Sequence, residues 1–502
     1  MQASDGTDKK RLTDAYLRIG DSYFMYRANK DTKPDDNQAV KYYQMAVETG
    51  GGQLDYAKYQ MGLSYGFLKR YTDKASIMLD IVNNHSSSVL AVPALYEAAE
   101  SYRLMLDEED PTHKVKAMRY YNQLIQDHPG HSKVVHAIYQ IGMLHFIDQE
   151  YEQAEKQFLK VINEYRGSDL EISALARLED IYTALNQPDK YFDLLSSLNM
   201  DIDQAKQDSI VFTAAFRQYS DSVFDVAASS FKKYLGQFAR PKSEIEALYY
   251  MGDSYGELNN EVEQIAAFKK LLAKPSNRFT ERAADLVSAY EYELKNYAIA
   301  SEYYEKLESV ASYPGSKLRA SIGLMRCYTF TNELGAAKIY ALRVQDNDQA
   351  LENVKIEAHY VIGKAELEAS NYEVALEEFQ HVADETSSAL GAESHYSIAL
   401  IYHLQEDYKK SEEIVRKIMK ERAGYDYWIA KSLILQAKNS IGMDDYVQAE
   451  FTINSVLKGY VIEDDGIIDE ANLVMDVITE YKNREKDLGP DVDNTIEIGN
   501  GE

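Results

Sequence analysis

The sequence predicts an all-α protein, an α-solenoid of about twelve helix-turn-helix repeats. Three observations support this fold class. A pattern of small and apolar residues recurs every 36 to 38 residues over roughly 300 residues. Within each recurrence, apolar residues spaced three and four apart form two stripes, which is typical of two amphipathic helices. Sustained alternation of apolar and polar residues, the signature of a half-buried strand, is found in no segment.

The recurring pattern starts at a small residue in the first helix of each repeat. Gly142 is followed by Ala154, Phe158 and Val161, and the same spacing recurs after Gly363. The starting position moves through residues 142, 179, 215, 252, 288, 325, 363, 399 and 437. We expect it to face the second helix of the repeat, because a large side chain there would push the two helix axes apart.

Short turns separate the two helices within a repeat, whereas glycine and proline mark the joints between repeats. Residues 148–150 and 368–371 form such turns, which are too short for anything but an antiparallel hairpin. The joints include residues 128–130, 166–168 and 313–316. We expect the proline or glycine to end the second helix of one repeat, and a Ser or Asp to cap the first helix of the next.

This pattern resembles the tetratricopeptide repeat (TPR), whose common length is 34 residues. The resemblance extends over about twelve repeats from Arg11 to near Lys458, each two to four residues longer than the common repeat. Two joints, 128–133 (HPGHSK) and 312–317 (SYPGSK), resemble one branch of the family: the periplasmic TPR lipoproteins of outer-membrane protein assembly and the accessory protein of the Tol-Pal system. The family resemblance implies a right-handed superhelix.

The repeats divide the chain into five predicted segments. These are 1–50 (a first repeat with a long insert at 29–37), 51–200 (repeats 2–5), 201–466 (repeats 6–12), 467–486 (a capping helix) and 487–502 (a disordered acidic tail). A second insert lies at 107–114. The fifth repeat is the most degenerate, since Glu179 and Tyr191 occupy positions where small residues are expected.

Charge and composition limit the classes of partner. The chain has 54 Lys and Arg against 82 Asp and Glu, a net charge of −28, which disfavours nucleic acid and anionic membranes and favours neutral or basic protein segments. No run of eighteen apolar residues predicts a transmembrane span. The N-terminus lacks signal-peptide features. We therefore expect either a cytoplasmic protein or a trimmed form of an exported one, tethered through an anchor upstream of Met1.

The residue patterns predict no enzyme, no metal and no cofactor. A Gly-rich phosphate loop, a zinc-protease motif and a nucleophile elbow are all missing from the sequence. His128, His131 and His136 cluster at one joint, but their spacing favours exposed turn residues over metal ligands. Cys327 lies among apolar residues and is expected to be a buried, unreactive thiol.

A recurrent tyrosine is the candidate for a peptide-binding groove. It lies three residues before the small position in six first helices, as Tyr59, Tyr96, Tyr139, Tyr249, Tyr360 and Tyr396. In the TPR family this position faces the concave groove. Tyrosine suits peptide binding because its ring offers a large contact area and its hydroxyl can bond to a backbone group. The alternative is that the rings pack between neighbouring helices as core, and both interpretations can hold at once.

The predicted function is a non-enzymatic scaffold for protein–protein interactions. By resemblance it would act in cell-envelope assembly or secretion machinery, in the periplasm at the outer membrane. The alternative is a cytoplasmic regulatory TPR protein that binds a signalling peptide. A co-chaperone clamp for an acidic chaperone terminus is disfavoured, since Asp21, Glu100 and Asp253 lie next to the small position, where that clamp carries Lys and Asn.

Overall fold

A computed structural model describes residues 2–25, 36–106 and 110–488 of the chain. Within these ranges the backbone forms 25 α-helices and no β-strand, which confirms the predicted all-α solenoid of helical hairpins. The chain divides into two compact units, Met1–Lys242 and Ser243–Glu502. Odd-numbered helices are the first of each hairpin and are called A helices below, and even-numbered helices are called B helices.

The described residues of the first unit contain twelve helices: α1 Gln2–Met25, α2 Asp36–Thr49, α3 Leu54–Phe67, α4 Tyr71–Asn84, α5 Ala91–Arg103, α6 Thr112–Asp127, α7 Lys133–Ile147, α8 Tyr151–Glu164, α9 Glu171–Ala184, α10 Pro188–Ser197, α11 Gln204–Ser220 and α12 Phe224–Gln237. Those of the second unit contain thirteen: α13 Glu244–Glu257, α14 Glu261–Leu272, α15 Thr280–Glu293, α16 Tyr297–Val310, α17 Pro314–Phe330, α18 Leu334–Gln345, α19 Glu352–Glu368, α20 Tyr372–Glu385, α21 Ala389–Leu404, α22 Tyr408–Glu421, α23 Asp426–Gly442, α24 Tyr446–Gly459 and α25 Ile467–Leu488.

The small positions lie where each A helix meets its B helix. Gly142 is so close to Phe158 that a Cβ atom on residue 142 would come within 2.9 Å of the phenyl ring. Gly363 meets Phe379 at the same separation of 2.9 Å. Both phenylalanine rings are fully buried, and each such ring contributes about 2–3 kcal/mol by leaving water. The packing confirms the register predicted for these hairpins.

The fifth hairpin, α9 and α10, departs from this pattern. Glu179 replaces the small residue on α9, is half-buried and pairs with Lys206 Nζ of α11 at 2.5 Å. Tyr191 is buried on α10, a helix of ten residues, and burial together with the nearby Glu179 raises the pKa of Tyr191 to about 12. Because α10 is short, α9 also packs directly against α11.

The turns from A to B helix share a feature that the sequence pattern did not predict. Among the described residues, ten turns hold a non-glycine residue with φ between +55° and +63°: Lys69, Gln149, Asn186, Ser222, Asn259, Lys295, Asn332, Ser370, Glu406 and Asp444. Around Gln149, the Glu150 N–H donates to the His145 carbonyl at 2.9 Å, and the Gln149 N–H donates to the Phe146 carbonyl at 3.0 Å. This is the Schellman motif that ends helices, and it usually carries glycine at the left-handed residue.

The joints between repeats differ from the expectation in two ways. Pro314 does not end α16, which stops at Val310, but begins α17, where its missing N–H costs no helical hydrogen bond. Side-chain capping is also found at only some joints: Ser132 precedes α7 without capping it, whereas the Asp203 carboxylate before α11 accepts from the Lys206 N–H. Gly167 fits its joint because its φ is +79°, a conformation that other residues rarely adopt.

Some predictions fall outside the described residues. They concern most of the first insert, the start of the second insert and the predicted tail, since residues 26–35, 107–109 and 489–502 are not among those described. The last helix, α25, spans Ile467–Leu488 and includes the predicted capping helix 467–486. The division of the chain into the five segments stays a prediction.

Candidate functional site

The six predicted tyrosines lie on six different A helices, and four of them contact an aromatic ring on the B helix of their own hairpin. They occupy α3 (Tyr59), α5 (Tyr96), α7 (Tyr139), α13 (Tyr249), α19 (Tyr360) and α21 (Tyr396). The ring centroid of Tyr139 lies 5.4 Å from that of Phe158, and the ring centroid of Tyr360 lies 6.1 Å from that of Phe379. In both hairpins the tyrosine of the A helix therefore packs on the phenylalanine of the B helix that contacts the glycine of the A helix.

The next A helix covers several of these rings from the other side. Tyr249 stacks on Phe279 at the start of α15, with ring centroids 4.0 Å apart. The hydroxyl of Tyr360 donates a hydrogen bond to the Glu393 carboxylate on α21. Tyr396 lies 5.5 Å from Trp428 of α23 between ring centroids. These contacts tie successive A helices together, so the rings contribute to packing.

Burial leaves little of the tyrosine surface for a ligand in three of the six positions. Tyr96, Tyr249 and Tyr360 are buried, the last with 7% of its surface exposed. Burial, with a contribution from Glu97, raises the pKa of Tyr59 to about 12, and burial together with Glu393 raises that of Tyr360 further. Both hydroxyls therefore stay protonated at neutral pH, and that of Tyr360 donates to the Glu393 carboxylate. The structure places the six rings in separate hairpins, and their role in peptide binding stays a prediction.

A groove on the A-helix side of the second unit offers an accessible apolar surface. It is formed by α21, α23 and α25 and has a volume of about 460 Å³. The lining residues are His403, Lys438, Ile441, Gly442, Glu470, Leu473, Val474 and Val477. Leu473 is 66% exposed and Val477 is 51% exposed. Burying two such side chains against a ligand would stabilise a complex by roughly 1–3 kcal/mol each.

The groove exists because α25 carries apolar residues on two faces. Ile467, Ala471 and Ile478 are buried and pack on α23 and α24, with the spacing of four and seven residues that one helix face requires. Leu473 and Val477 are four residues apart on a different face, which lines the groove. This second face has no function in packing α25 onto the preceding hairpin.

Two lysines fix α25 against α23 at the wall of the groove. Lys431 Nζ and Lys438 Nζ each donate to the Glu470 carboxylate at 2.6 Å. Burial alone would raise the pKa of Glu470, but the hydrogen bonds from both lysines outweigh it and lower that pKa below its usual value. Glu470 therefore stays charged, and its pairing keeps the position of Leu473 and Val477 defined.

A buried chain of hydrogen bonds orients His403 at the other wall. The Ser411 hydroxyl donates to the Ala399 carbonyl at 2.8 Å, and the Asn439 side-chain amide donates to Ser411 Oγ at 2.8 Å. The Oδ1 atom of Asn439 thus accepts from His403 Nδ1 at 2.7 Å. With its proton on Nδ1, neutral His403 keeps Nε2 as a hydrogen-bond acceptor. The groove combines apolar contacts with one oriented acceptor.

Sequence reasoning missed this groove although it predicted α25 as a cap. The available signal was the pair Leu473 and Val477, which falls outside the stripe of α25 that a capping helix needs. The groove also combines residues from three helices. His403, Lys438 and Glu470 are each more than thirty residues from the next in the sequence. A search restricted to one recurring position could not find it.

Other candidate chemistry gives no site in the described part of the chain. There, no group of three or more His, Cys, Asp or Glu side chains could hold a metal ion. His131 Nδ1 accepts a hydrogen bond from the Lys133 N–H at 3.1 Å, within its own joint. Cys327 is buried, and burial raises its pKa to about 12, so the thiol stays protonated. Over the same described residues, no helix is long and apolar enough to cross a membrane.

Comparison with known proteins finds a similarity over one hairpin. The tetratricopeptide-repeat family model matches residues 93–131, which fall on the hairpin α5–α6. The matched stretch is therefore similar to one tetratricopeptide repeat. No curated protein matches the sequence.

Several solved structures of low sequence identity are similar to the chain. The APC/C hetero-tetramer Cut9–Hcn1 matches with 11% identity, over 96% of this chain and 94% of that one, at a TM-score of 0.29. Yeast Tom70 matches with 13% identity, over 95% and 97%, at a TM-score of 0.29. A tetratricopeptide repeat protein from Parabacteroides merdae matches with 12% identity, over 54% of this chain and 100% of that one, at a TM-score of 0.28.

Proposed function

We propose that this tetratricopeptide-repeat solenoid is a non-enzymatic scaffold that holds segments of other proteins in the groove between α21, α23 and α25. The observation that carries the proposal is the exposure of Leu473 and Val477 in a groove of about 460 Å³. Apolar side chains concentrated in a concave surface mark sites where a partner buries its own apolar residues.

The polar walls of the groove give the bound segment an orientation. His403 Nε2 can accept a hydrogen bond from a backbone N–H or from a polar side chain of the partner. Glu470 is paired with two lysines, so these three side chains together carry a charge of +1 at this wall. The overall charge of −28 favours partners whose segments are neutral or basic.

The proposed location is the periplasm at the outer membrane, within cell-envelope assembly or secretion machinery. Support comes from the joints 128–133 and 312–317, which resemble those of envelope TPR lipoproteins. Fractionation of native cells tests this location. Recovery of the protein with outer-membrane proteins is the expected result, and recovery with cytosolic proteins alone would favour a cytoplasmic regulatory protein that binds a signalling peptide.

The scaffold function is tested by capturing partners with the full chain from native membrane extracts and quantifying them by mass spectrometry. A double variant, Leu473→Ser with Val477→Ser, removes the apolar floor of the groove. The matched control, Val461→Ser with Ile462→Ser, removes two exposed apolar residues from the joint before α25.

We expect the groove variant to lose a partner that the wild type and the control retain. With that partner purified, calorimetry should give a loss of roughly 2–4 kcal/mol in binding free energy for the groove variant. Equal capture by all three proteins, with equal melting temperatures, would contradict the proposal.

A further inference from the structure

Exposed apolar residues recur at the turns of the second unit, outside the groove. Each of its six A–B turns has three residues, at 258–260, 294–296, 331–333, 369–371, 405–407 and 443–445, and these turns together are called the turn edge. At five of them the last residue of the A helix or the first residue of the turn is a large apolar one, between 38% and 58% exposed: Leu258, Leu294, Phe330, Leu404 and Met443. Single exposed apolar residues are ordinary, but one in each of five hairpins, at one of two adjacent positions, forms a row.

The connections between helices bring this row to one edge of the unit. Every A–B turn reverses the chain, and so does every short joint from B to A, so the A helices all run in the same direction. Successive A helices from α15 to α25 contact one another. Packed helix axes lie 8–10 Å apart, so the turns of neighbouring hairpins are about 10 Å apart.

The turn edge is also electronegative. Each turn, or the A-helix residue directly before it, has an exposed carboxylate, namely Glu257, Glu293, Glu333, Glu368, Glu406 and Asp444. The carbonyl ends of the A helices point to the same edge and add the negative end of the helix dipole. The turns contain one basic residue, Lys295, beside Glu293 and Leu294. Apolar contacts and negative charge thus alternate along the row.

We infer that the turn edge binds an extended segment of a partner protein that has an apolar side chain at every third position and Lys or Arg between them. In the polyproline II form of an extended chain there are three residues per turn and the rise is about 3.1 Å per residue, so every third side chain lies on the same face and meets the next hairpin, about 9 Å on. The basic residues between them pair with the carboxylates of the turns. Leu404 and Met443 adjoin His403 and Gly442 of the groove, whereas Leu258, Leu294 and Phe330 lie away from it. The inference does not depend on the proposed function of the groove.

One turn supplies an internal test of the spacing. Ala369 occupies the position where other turns have a large apolar residue. It lies in ordinary helical backbone at the end of α19 and is exposed, so a larger side chain fits there without strain. Ala369→Leu completes the row and should lower the Kd for a correctly spaced segment about threefold.

The probe is a fluorescein-labelled peptide of 18 residues, Leu-Lys-Ser repeated six times, titrated with the full chain by fluorescence anisotropy. A second peptide of the same composition places the Leu residues at irregular intervals. The edge variant is Leu258→Ser with Leu294→Ser, three or more hairpins before the groove. Its control is Leu351→Ser, a leucine that precedes α19 at the opposite edge and is 69% exposed, more than either residue of the edge variant.

The inference predicts that the regular peptide binds at least tenfold more tightly than the irregular one, and more weakly as salt rises. The edge variant should raise the Kd of the regular peptide about tenfold, while Leu351→Ser leaves it within twofold. Equal binding of both peptides, no binding, or no effect of the edge variant would overturn the inference. If only Leu473→Ser with Val477→Ser weakens binding, the peptide occupies the groove; the turn edge is then refuted and the proposed function stands.

Discussion

Tyr360 and Val477 lie on A helices of the same unit, yet only one of them is available to a partner. Tyr360 on α19 is 7% exposed, because Phe379 packs under its ring and Glu393 of the next A helix accepts from its hydroxyl. Val477 on α25 is 51% exposed and lines a groove. Within the array each A helix covers the one before it, whereas α25 comes last among the described helices.

The comparison teaches that a residue recurring in every repeat is selected first by packing between repeats. Such a position lies between its own B helix and the next A helix in each hairpin, so its side chain is packed against those two helices. A binding surface needs side chains that the array leaves uncovered. These are found where a helix has a second apolar face, as α25 does, and at the turns.

The largest expected effect comes from disrupting the packing of α19 on α20, the hairpin that contains the covered Tyr360. Gly363→Leu places a side chain where a Cβ atom alone would lie 2.9 Å from the Phe379 ring, which is fully buried. We expect a destabilisation of about 4 kcal/mol, above the usual cost of overpacking. The reason is that α19 cannot move away from α20 without disturbing its contact with the next A helix, α21. Chemical denaturation followed by circular dichroism measures it.

The control for that variant is Gly335→Leu in α18, where a Cβ atom would meet nothing within 4 Å. It should leave stability unchanged or raise it by about 0.5–1 kcal/mol through helix propensity. Gly142→Leu in the first unit should behave like Gly363→Leu, because its Cβ would lie equally close to Phe158. Equal midpoints for the two variants of the second unit would refute the assigned register.

A smaller effect separates the two roles of a covered tyrosine. Tyr360→Ala should destabilise the protein by about 3 kcal/mol through the cavity it leaves, and Tyr360→Phe by about 1 kcal/mol through the lost hydrogen bond to Glu393. The groove variant Leu473→Ser with Val477→Ser should change stability by less than about 0.5 kcal/mol. Denaturation midpoints of the three variants make the comparison, and a groove variant as unstable as Tyr360→Ala would show that the groove residues are core.

Alkaline pH should weaken the covered region selectively. Burial and Glu393 raise the pKa of Tyr360 above its ordinary value of 10.0. The folded state therefore keeps a proton that the unfolded state releases above pH 10, so this contribution to stability is complete below pH 10 and is lost as pH rises further. Melting temperatures measured from pH 8 to pH 12 should fall, and should fall less steeply for Tyr360→Phe. An equally steep fall in melting temperature for the two proteins would show that Tyr360 does not cause the loss of stability at alkaline pH.

The smallest effect concerns the turns that border both regions. Ser370 follows the covered helix α19 and Asp444 follows the groove helix α23, yet their φ angles are +60° and +63°. Replacing either with glycine should stabilise the protein by roughly 0.5–1 kcal/mol, because glycine adopts this conformation without the strain of a Cβ atom. Thermal melts check the prediction; destabilisation by either change would mean that the side chain has a role of its own.

Sequence periodicity predicted the hairpins well because their packing is local. Gly142 and Phe158 are sixteen residues apart and meet across one turn, so the pattern carries the contact within a single repeat. The left-handed turn residues were not predicted. A glycine usually marks such a position in a sequence, but here Lys, Gln, Glu and Asp are among the residues that occupy it. Pro314 was misassigned because proline both follows and begins helices.

The site was less predictable than the fold. The tyrosines were found by their spacing, but their burial depends on which residue the next A helix presents, such as Glu393 for Tyr360. The groove requires His403, Lys438 and Glu470 from three successive A helices, and the chain of bonds through Asn439 and Ser411 has no signature in the sequence. Contacts between repeats decide these features.

The central claim is that the groove, and not the covered tyrosine positions, receives a partner. Site-specific photo-crosslinking tests it most directly, with benzoylphenylalanine introduced at residue 477 of the full chain, at residue 461 as an exposed control and at residue 360 as the covered position. In native membrane extracts, residue 477 should crosslink a partner protein that residues 461 and 360 do not. Crosslinking of the same partner from residue 360, with none from residue 477, would contradict the account.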